Sequence, residues 1–543
     1  MKQRGMKTIY LQNLRRELDA TDESFAASCC KKLGIPRDAL IRMRIVRQAL
    51  DARKKQDIFH CIHAELTVTD AAAKRMQRDP KLKAEIVEPA AEEPFRFGTK
   101  QPDGRIIVAG LGPAGLFAAL TLAENGYRPL VIERGRPIAE RVKDVETYWA
   151  GRIKEPDPDS NVAFGEGGAG TFSDGKLTTR IRDPHIDGVL RDLIASGAPE
   201  EIAYLAKPHI GTDRLRTVVG NLRRRIEAAG GEVRFSAKLA DVRVQDGRIT
   251  SALIRQEGKE AWEPCAALLL AIGHGARDTA RMLYDKGVLM APKAFAIGVR
   301  AEHPQSLINE SQYGPMANHP RLGAAEYRLT AKSGERGVYT FCMCPGGQVV
   351  ASASGSDQVV VNGMSNFARD GRNANAAVVV QITPEDFGTH PLDGLRYLDK
   401  LERDTFLLGG GDGTAPASTV GAFLRDECSK PSRSVEPTYR PGVRYTRLSD
   451  CLPDFTAQGI RDGLRAFGRQ LKGYDMEDAV LTAVESRTSS PLRILRDTAM
   501  ESVSHKGLYP IGEGAGYAGG IVSAAVDGRK AAEAVMRIFA PLP

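Results

Sequence analysis

Between residues 105 and 135 the chain passes from a short apolar run to a helical pattern and then to a second apolar run. Residues 106–109 are apolar and typical of a buried strand, and a glycine-rich stretch follows them. Residues 116–125 have the composition of a helix, which Gly126 ends. The second apolar run, at 130–132, stops at Glu133. The pattern predicts a strand, a glycine loop, a helix and a second strand that ends in an acid.

The glycine loop has the spacing of a dinucleotide-binding site. Its first glycine permits a tight turn, its second lets the backbone approach a pyrophosphate, and its third lets the helix pack closely on the strand. The N–H groups at the start of the helix can receive the phosphates, and Glu133 can accept hydrogen bonds from a ribose. The loop residues predicted to hold the cofactor are Gly110, Gly112, Pro113, Ala114 and Gly115.

The pattern before this loop predicts a separate small domain over residues 1–90. Strands are expected at 8–11, 41–47 and 59–68, and helices at 22–33 and 71–78. This order indicates a β-α-β-β-α-β unit of the ferredoxin-like type. The proline- and glutamate-rich residues 88–94 then predict a linker.

The pattern after the loop predicts the rest of an α/β fold. A helix at 213–229 and short strands at 233–235, 239–244 and 249–255 lead to an apolar run at 266–272, which ends at Gly273 and favours a return to the nucleotide-binding sheet. Strands at 294–302, 337–344 and 348–354 and helices at 394–408 and 460–471 form a mixed block. We expect a Rossmann-like three-layer domain over 100–285 and 480–543, with an inserted substrate cap over 286–479. Within the first part, residues 181–210 are assigned to neither of the larger domains.

Composition is that of a globular protein of several domains. The 543 residues are 42% hydrophobic and 27% charged, and no apolar stretch approaches the length of a membrane span. The basic first residues have no apolar segment behind them, so no secretory signal is expected. The eight cysteines are scattered without a CxxC pair, which favours reduced thiols in a cytoplasm. No metal site is predicted, because on a strand Cys61 and His63 would share a face opposite His60.

Positive charge is concentrated in the small N-terminal domain. Residues 1–83 hold 19 Lys and Arg against 10 Asp and Glu, whereas the whole chain has a net charge of +8. The cluster consists of Arg42, Arg44, Arg47, Arg53, Lys54 and Lys55. It could attract a polyanion such as RNA or an acidic protein. The alternative, which we favour, is an ordinary solvated surface.

Two further stretches contain candidates for contact with a ligand. The glycine-rich residues 161–177 cannot form a stable helix or central strand, and Gly168, Gly170 and Thr171 are expected near the cofactor. At the C-terminus, Gly512 and Glu513 follow a predicted strand, and Gly519, Gly520 and Ile521 precede a helix at 522–539. The start of that helix offers positive potential to an electron-rich part of the ligand.

Candidates for the reacting centre are Lys176, Arg487, Cys342 and Cys344. A cation could stabilise a negatively charged, reduced cofactor or bind a substrate carboxylate. On a regular strand the two cysteines would point to the same face with Cα atoms about 6–7 Å apart, at the outer limit for a disulfide. Buried packing is favoured over catalysis for both cysteines.

The strings FGEGGAGTFSDGKL, FCMCPGG, NGMS, ESRTSSP and YPIGEGAGYAGGIVSAAVDGRKAA resemble those of the bacterial FAD-dependent (FAD-utilising) dehydrogenases. This family is similar to the glutathione-reductase-like flavoproteins, in the branch of p-hydroxybenzoate hydroxylase and geranylgeranyl reductase. The resemblance extends over nearly the whole chain.

The resemblance implies FAD as the cofactor and assigns roles to particular residues. It implies that the glycine loop holds the pyrophosphate and Glu133 the ribose, and that Arg141 approaches the phosphates or the adenine. Arg134, which directly follows Glu133, is a further candidate for cofactor binding. In that branch an aspartate stands where this chain has Glu513, so a direct bond from the longer side chain to the ribityl hydroxyls is in doubt.

Two functional hypotheses of different classes follow. The favoured one is an FAD-dependent oxidoreductase that exchanges a hydride with a small organic substrate. The alternative is an RNA-modifying flavoenzyme that docks nucleic acid through its basic N-terminal domain. A sensor or assembly factor without turnover is a third, weaker possibility.

Overall fold

The structure, a computed structural model, describes residues 5–80, 82, 85–87 and 94–542. It divides into two compact units. The first contains the described residues up to Phe95 together with 199–208 and 309–325, and the second contains 96–198, 209–308 and the chain from 326 onwards. All but residue 94 of the predicted linker lies outside the described residues.

Two segments belong to the first unit although they lie far from it in sequence. Residues 199–208 come from the stretch that the sequence left unassigned, and 309–325 from the predicted cap. The Gln48 N–H donates to the carbonyl oxygen of Tyr204 at 2.7 Å, and the Ala206 N–H donates to that of Gln48 at 2.8 Å. Such long-range backbone pairing leaves no local pattern in the sequence.

The first unit is a four-stranded antiparallel sheet with two helices. Its elements are β1 (Met6–Glu17), α1 (Asp22–Leu33), β2 (Leu40–Asp51), β3 (Phe59–Thr69), α2 (Asp70–Arg78) and β4 (Glu85–Ile86), and the strand order is β2-β3-β1-β4. Both helices begin with a threonine cap, Thr21 or Thr69, whose hydroxyl accepts a backbone N–H. Alternate residues of β1 and β3 form a core with Phe25, Ala73 and other helix residues.

The second unit contains the remaining elements. Its strands are β5 (Arg105–Ala109), β6 (Leu130–Ile132), β7 (Glu232–Arg234), β8 (Ala237–Gln245), β9 (Arg248–Gln256), β10 (Lys259–Leu270), β11 (Met290–Pro292), β12 (Phe295–Pro304), β13 (Thr330–Ser333), β14 (Arg336–Ala351), β15 (Val361–Met364), β16 (Asn373–Ile382), β17 (Ala415–Thr419), β18 (Val443–Tyr445), β19 (Val480–Glu485), β20 (Leu492–Ile494) and β21 (Leu508–Pro510).

The helices after residue 100 are interspersed with these strands along the chain. They are α3 (Pro113–Glu124), α4 (Ile138–Trp149), α5 (His185–Ala195), α6 (Thr212–Ala228), α7 (Arg277–Asp285), α8 (Gln305–Tyr313), α9 (Pro384–Phe387), α10 (Asp393–Gly409), α11 (Val420–Arg425), α12 (Asp454–Gln470) and α13 (Ile521–Met536). Helix α8 begins in the second unit and ends in the first.

A parallel sheet organises the predicted cofactor domain. Strands β7, β6, β5, the second half of β10 and β21 are parallel neighbours, so their carboxyl ends lie at one edge. Helices α3 and α13 pack closely together, because a side chain at Gly528 would overlap the Ala114 carbonyl. Ligands of open α/β sheets bind at such an edge, outside the strand ends. The α/β class predicted from the sequence is confirmed.

Strand β10 is longer than the predicted run at 266–272. Its first half pairs antiparallel with β9 from Lys259 to Pro264, and its second half pairs parallel with β5 from Cys265. One strand therefore belongs to both an antiparallel ribbon and the central sheet.

A second, mostly antiparallel sheet comes from the predicted cap, except for β19 (Val480–Glu485), which was predicted to belong to the C-terminal part of the cofactor domain. Its order is β13-β14-β16-β12-β19-β17-β18, with β15 paired to β14. The sequence predicted two strands at 337–344 and 348–354, but β14 is one strand with irregularities between Phe341 and Cys344 and between Cys344 and Gly347. Pro345 and its neighbouring glycines are accommodated in these bulges and do not end the strand.

Candidate functional site

The glycine loop between β5 and α3 leaves space at one of its three glycines. A side chain at Gly115 would overlap the Gly110 carbonyl, and Gly110 has a left-handed φ of 103°. At Gly112 the nearest atom to an added Cβ is the Gly168 Cα, at 3.7 Å, and φ is −76°. The fold thus requires two glycines for its own packing, whereas the third faces free space that a pyrophosphate could fill.

The glycine-rich loop 161–177 lies against this position. The Gly167 N–H donates to the Leu111 carbonyl at 2.9 Å. A Cβ at Gly168 would lie 2.9 Å from the Gly112 Cα, and one at Gly170 would lie 3.3 Å from Ile521 at the start of α13. The loop therefore brings the starts of α3 and α13 together, as the predicted cofactor set requires.

The turn after β21 completes the arrangement at the sheet edge. Gly512 has a φ of 74°, and its N–H donates to Asp527 of α13 at 2.7 Å. A Cβ at Gly512 would lie 2.8 Å from the Ala114 Cβ. Gly273 and Gly519 have no atom within 4 Å of an added Cβ, and Gly520 is the N-cap of α13. Three glycine turns at one edge thus leave room for an extended ligand.

Glu133 is bound to the protein backbone on both of its oxygens. Oε2 accepts the Leu111 N–H at 2.8 Å, and Oε1 accepts those of Gly135 and Gly165 at 2.9 Å. The side chain joins the two loops beside the sheet edge. A ribose bond to Glu133 stays a prediction, and it would use lone pairs that these three bonds leave free.

Arg141 has partners different from those the resemblance implied. It is fully buried, and its guanidinium donates to the carbonyl oxygens of Asn161, Val162, Gly165 and Glu166 at 2.7–3.3 Å. Burial lowers the pKa of Arg141 to about 10, which leaves it charged at neutral pH. All its nitrogens donate to carbonyl groups of the glycine-rich loop, and its approach to the cofactor stays a prediction.

Arg134 is likewise engaged by the protein. Its guanidinium pairs with Asp278 at 2.7 Å and Asp159 at 3.1 Å and lies 4.2 Å from the centre of the Phe164 ring. Burial opposes the charge of Asp278, but its bonds to Arg134 and Lys238 lower its pKa. A contact between Arg134 and the cofactor stays a prediction.

A charged cluster lies beside Glu513 at the sheet edge. His274 Nδ1 is 3.8 Å from Glu513 Oε1, Arg277 donates to Glu402 at 2.6 Å, and Arg487 Nη2 is 3.6 Å from Glu402 Oε2. Neither ring nitrogen of His274 and none of the Arg487 nitrogens has a hydrogen-bond partner in the described part of the chain. Arg487 is thus a buried cation with weak pairing.

The cluster shifts the pKa values of its members. Burial raises the pKa of Glu513 to about 7, although Lys293 and Arg487 act against the shift. Burial, Arg277 and Arg487 lower the pKa of His274 to about 3. Burial opposes ionisation of Glu402, but the two arginines lower its pKa to about 2. At neutral pH His274 is neutral, Glu402 is ionised, and Glu513 is close to its titration midpoint.

Lys176 is paired, in contrast to Arg487. Its Nζ lies 2.9 Å from Glu326 and 3.9 Å from Asp174, which also binds Ser365 and Arg369. Thr171 is buried, and its carbonyl accepts the Thr212 hydroxyl at 2.7 Å. Both residues belong to the loop beside the cofactor position, but neither presents an unpaired polar group there.

The two cysteines do not share a face, contrary to the prediction. Cys342 has a left-handed φ of 42° within the first bulge of β14 and is exposed, whereas Cys344 is buried. The Cys344 thiol donates to the Cys342 carbonyl at 3.3 Å, and Arg300 donates to the same oxygen at 3.1 Å. The extra residue in the bulge breaks the alternation on which the prediction depended.

His274, Arg277 and Glu402 are not among the site residues predicted from the sequence. His274 directly follows Gly273 at a predicted strand end, and this position alone could have indicated a residue of the site. Glu402 lies on the buried side of α10, and only the tertiary structure brings it to Arg277. Among the described residues there is no group of three or more His, Cys, Asp or Glu side chains that could hold a metal ion.

A Clostridium beijerinckii protein, described only as an uncharacterized protein, is 47% identical over 536 residues, which is 98% of this chain and 99% of the relative. The chain belongs to the same family as this protein. Residues 294–488 match the model of a family described as FAD-dependent protein, C-terminal domain-like, and residues 8–67 match a domain of unknown function, DUF8436. The first match confirms FAD as the cofactor predicted from the sequence.

Solved structures show weaker likeness. A triple mutant of the flavin-dependent brominase Bmp2 has a TM-score of 0.36 and 14% identity, with 79% of each chain covered. A geranylgeranyl bacteriochlorophyll reductase-like protein from Thermoplasma acidophilum has a TM-score of 0.34 and 13% identity, with 80% of this chain and 78% of that one covered. These values are too low to assign an activity. No helix in the described ranges is long and apolar enough to cross a membrane.

Proposed function

We propose that the protein is an FAD-dependent oxidoreductase that exchanges a hydride with a small organic substrate, in the manner of a dehydrogenase. The observation that carries the proposal is the free space in front of Gly112, at the point where α3, α13 and the glycine-rich loop meet at the carboxyl edge of a parallel sheet. This shape fits a dinucleotide, whose pyrophosphate needs backbone N–H groups and no side chain.

When bound, FAD would supply the hydride chemistry, and the protein would supply binding, orientation and electrostatics. The first-turn N–H groups of α3 have no intrahelical acceptors and are available to the pyrophosphate. Gly512 and Glu513 would hold the ribityl chain, and the start of α13 directs positive potential to the same edge. The substrate cap in this proposal consists of residues 286–479 outside the segment that joins the first unit.

Arg487 is the cation best suited to act on the flavin electronically. The charge of Lys176 is neutralised by Glu326 at 2.9 Å, whereas Arg487 has only the 3.6 Å approach to Glu402, which it shares with Arg277. The Arg487 nitrogens are buried, so its influence acts across the low-dielectric interior without contact. In this arrangement Arg487 stabilises negative charge at the cofactor position, and neither Cys342 nor Cys344 is needed for the reaction.

The measurement that tests this assignment is the midpoint potential of bound FAD in Arg487→Met and Lys176→Met. A unit charge at about 10 Å contributes about 1.7 kcal/mol at an effective dielectric constant of about 20. For a two-electron couple, 30 mV corresponds to about 1.4 kcal/mol. We expect Arg487→Met to lower the potential by tens of millivolts and Lys176→Met to change it much less. Equal shifts in both variants would refute the choice of Arg487.

All eight cysteines are free, which suits a reducing compartment, and a cytoplasmic location is part of the proposal. The second candidate function is an RNA-modifying flavoenzyme. One observation favours it, namely the ring and arginine side chains on one face of the sheet in the first unit.

A further inference from the structure

The sheet of the first unit packs one face on its helices, and its second face carries polar, charged and aromatic side chains. Residues Ile62, Ala64, Leu66 and Val68 of β3 are fully buried against the helices, while the residues between them are only partly buried. The residues of this second face follow from the strand register. They are Thr8, Tyr10, Arg15 and Glu17 on β1, Arg42, Arg44, Arg47, Ala49 and Asp51 on β2, Phe59, Cys61, His63, Glu65 and Thr67 on β3, and Glu85 on β4.

Three ring side chains lie on this second face, all on the two central strands. The Tyr10 hydroxyl is 3.0 Å from His63 Nδ1, and the two rings meet edge to face with their centres 6.2 Å apart. Phe59 lies further along β3, with the Arg15 guanidinium 4.1 Å from its ring centre. A row of partly exposed rings on central strands is unusual for a face that meets only water, because their burial elsewhere would be favourable.

Cations lie on the part of this face that holds Tyr10 and His63, whereas Phe59 lies between Glu17 of β1 and Asp51 of β2. Arg42, Arg44 and Arg47 of β2 lie opposite Thr67, Glu65 and His63 of β3. Arg44 pairs with Glu65 at 2.8 Å. Arg42, Arg47 and the two lysines of the β2–β3 connection, Lys54 and Lys55, are exposed and form no ion pair with any residue that the structure describes.

We propose that this face binds single-stranded RNA. Bases that are free of a duplex can stack on Tyr10, His63 and Phe59, and a four-stranded sheet with rings on its central strands is a known platform for such stacking. The unpaired arginines and lysines can receive the phosphates. An acidic protein would use the cations but would leave the rings without a role, so RNA accounts for more of the face.

The acids beside the arginines limit how much of the affinity can be electrostatic. Four unpaired cations allow at most about four phosphate contacts, which corresponds to a slope of log affinity against log salt of about −3 for a single strand. Stacking must therefore contribute a large part of the binding. Affinity should depend on the rings as well as on salt.

The test is fluorescence anisotropy of a labelled 12-nucleotide oligouridine with the full chain at low salt. We expect saturable binding, about tenfold weakened in Tyr10→Leu and in Phe59→Leu, which keep apolar volume but lose the ring. Arg42→Gln with Arg47→Gln should weaken binding and reduce the salt slope by about 1.4. The matched control is Lys31→Gln with Lys32→Gln, the same charge change at exposed positions at the end of α1.

Several outcomes would overturn the proposal. In the first, the folded chain does not bind oligouridine, and in the second it binds a duplex of the same length more tightly than the single strand. In the third, affinity falls equally in the lysine control and in the arginine pair, and in the fourth it stays at the wild-type value in both ring variants. Stronger competition by polyglutamate than by unlabelled oligouridine would assign the face to an acidic protein. Thermal unfolding of each variant identifies any loss that comes from misfolding. FAD binding plays no part in the experiment, so the proposed oxidoreductase function can fail or succeed separately.

Discussion

Replacing Gly112 by valine should remove FAD binding while preserving the fold. The backbone at Gly112 has φ −76° and ψ −175°, which any residue adopts, and an added Cβ would have only the Gly168 Cα nearby, at 3.7 Å. The expected cost to folding is that of an apolar residue at a helix N-cap, about 1 kcal/mol. The valine side chain would occupy the space that the pyrophosphate needs, so the variant should fold but not bind FAD.

The loss of affinity can be estimated from the bonds that valine would prevent. A hydrogen bond from a backbone N–H to a charged group contributes about 1.5–3 kcal/mol. Loss of two such bonds gives about 3–6 kcal/mol, or a factor of about 10² to 10⁴ in Kd. The assay is a titration with FAD followed by flavin fluorescence, with urea unfolding of the same samples.

Two glycine controls separate cofactor loss from unfolding. Gly115→Ala should damage the fold itself, because its methyl group would overlap the Gly110 carbonyl. Gly323→Val should change neither property, because nothing lies within 4 Å of an added Cβ there. The reasoning is refuted if Gly112→Val keeps wild-type affinity for FAD, or if it loses FAD only in proportion to its unfolded fraction.

Three further predictions concern named side chains. Arg141→Met should lower the free energy of unfolding by at least about 3 kcal/mol in urea titrations, because four buried carbonyls lose a charged donor. Glu533 and Asp183 raise the pKa of His185 despite its burial, so its stabilisation is complete below about pH 6.5 and is lost as pH rises through the raised pKa. His185→Gln should flatten that decline in unfolding scans between pH 6 and 9, and an unchanged slope would contradict the assignment. Glu513→Gln should abolish any dependence of FAD affinity on pH near 7, where Glu513 titrates; a persisting dependence would exclude Glu513 as its source.

The elements around the glycine loop were predictable because their signals are local. Strand β5, helix α3 and strand β6 each follow from apolar periodicity and from glycine at a turn. The helix predicted at 394–408 differs from α10 by one residue at each end. Local patterning also predicted the strand that ends before Gly512, whereas the approach of Gly512 to Ala114 is a tertiary contact that only the structure shows.

Interactions between distant segments were not predictable from the same signals. The carbonyl partners of Arg141 lie some twenty residues further along the chain, and no local pattern in the sequence indicates these bonds. The positive φ of Cys342, which reverses its side chain, depends on the pairing of β14 with β16. In the sequence Glu402 is one polar residue of a helix, and only the structure shows that Arg277 and Arg487 lie beside it.

The most direct test of the central claim is native mass spectrometry of the flavin-free chain titrated with FAD. We expect saturation at one FAD per chain in the wild type and no FAD adduct in Gly112→Val at the same concentrations. A folded wild-type chain that acquires no FAD mass would show that the protein does not bind FAD, and a Gly112→Val variant that retains one FAD would show that the pyrophosphate does not lie at Gly112.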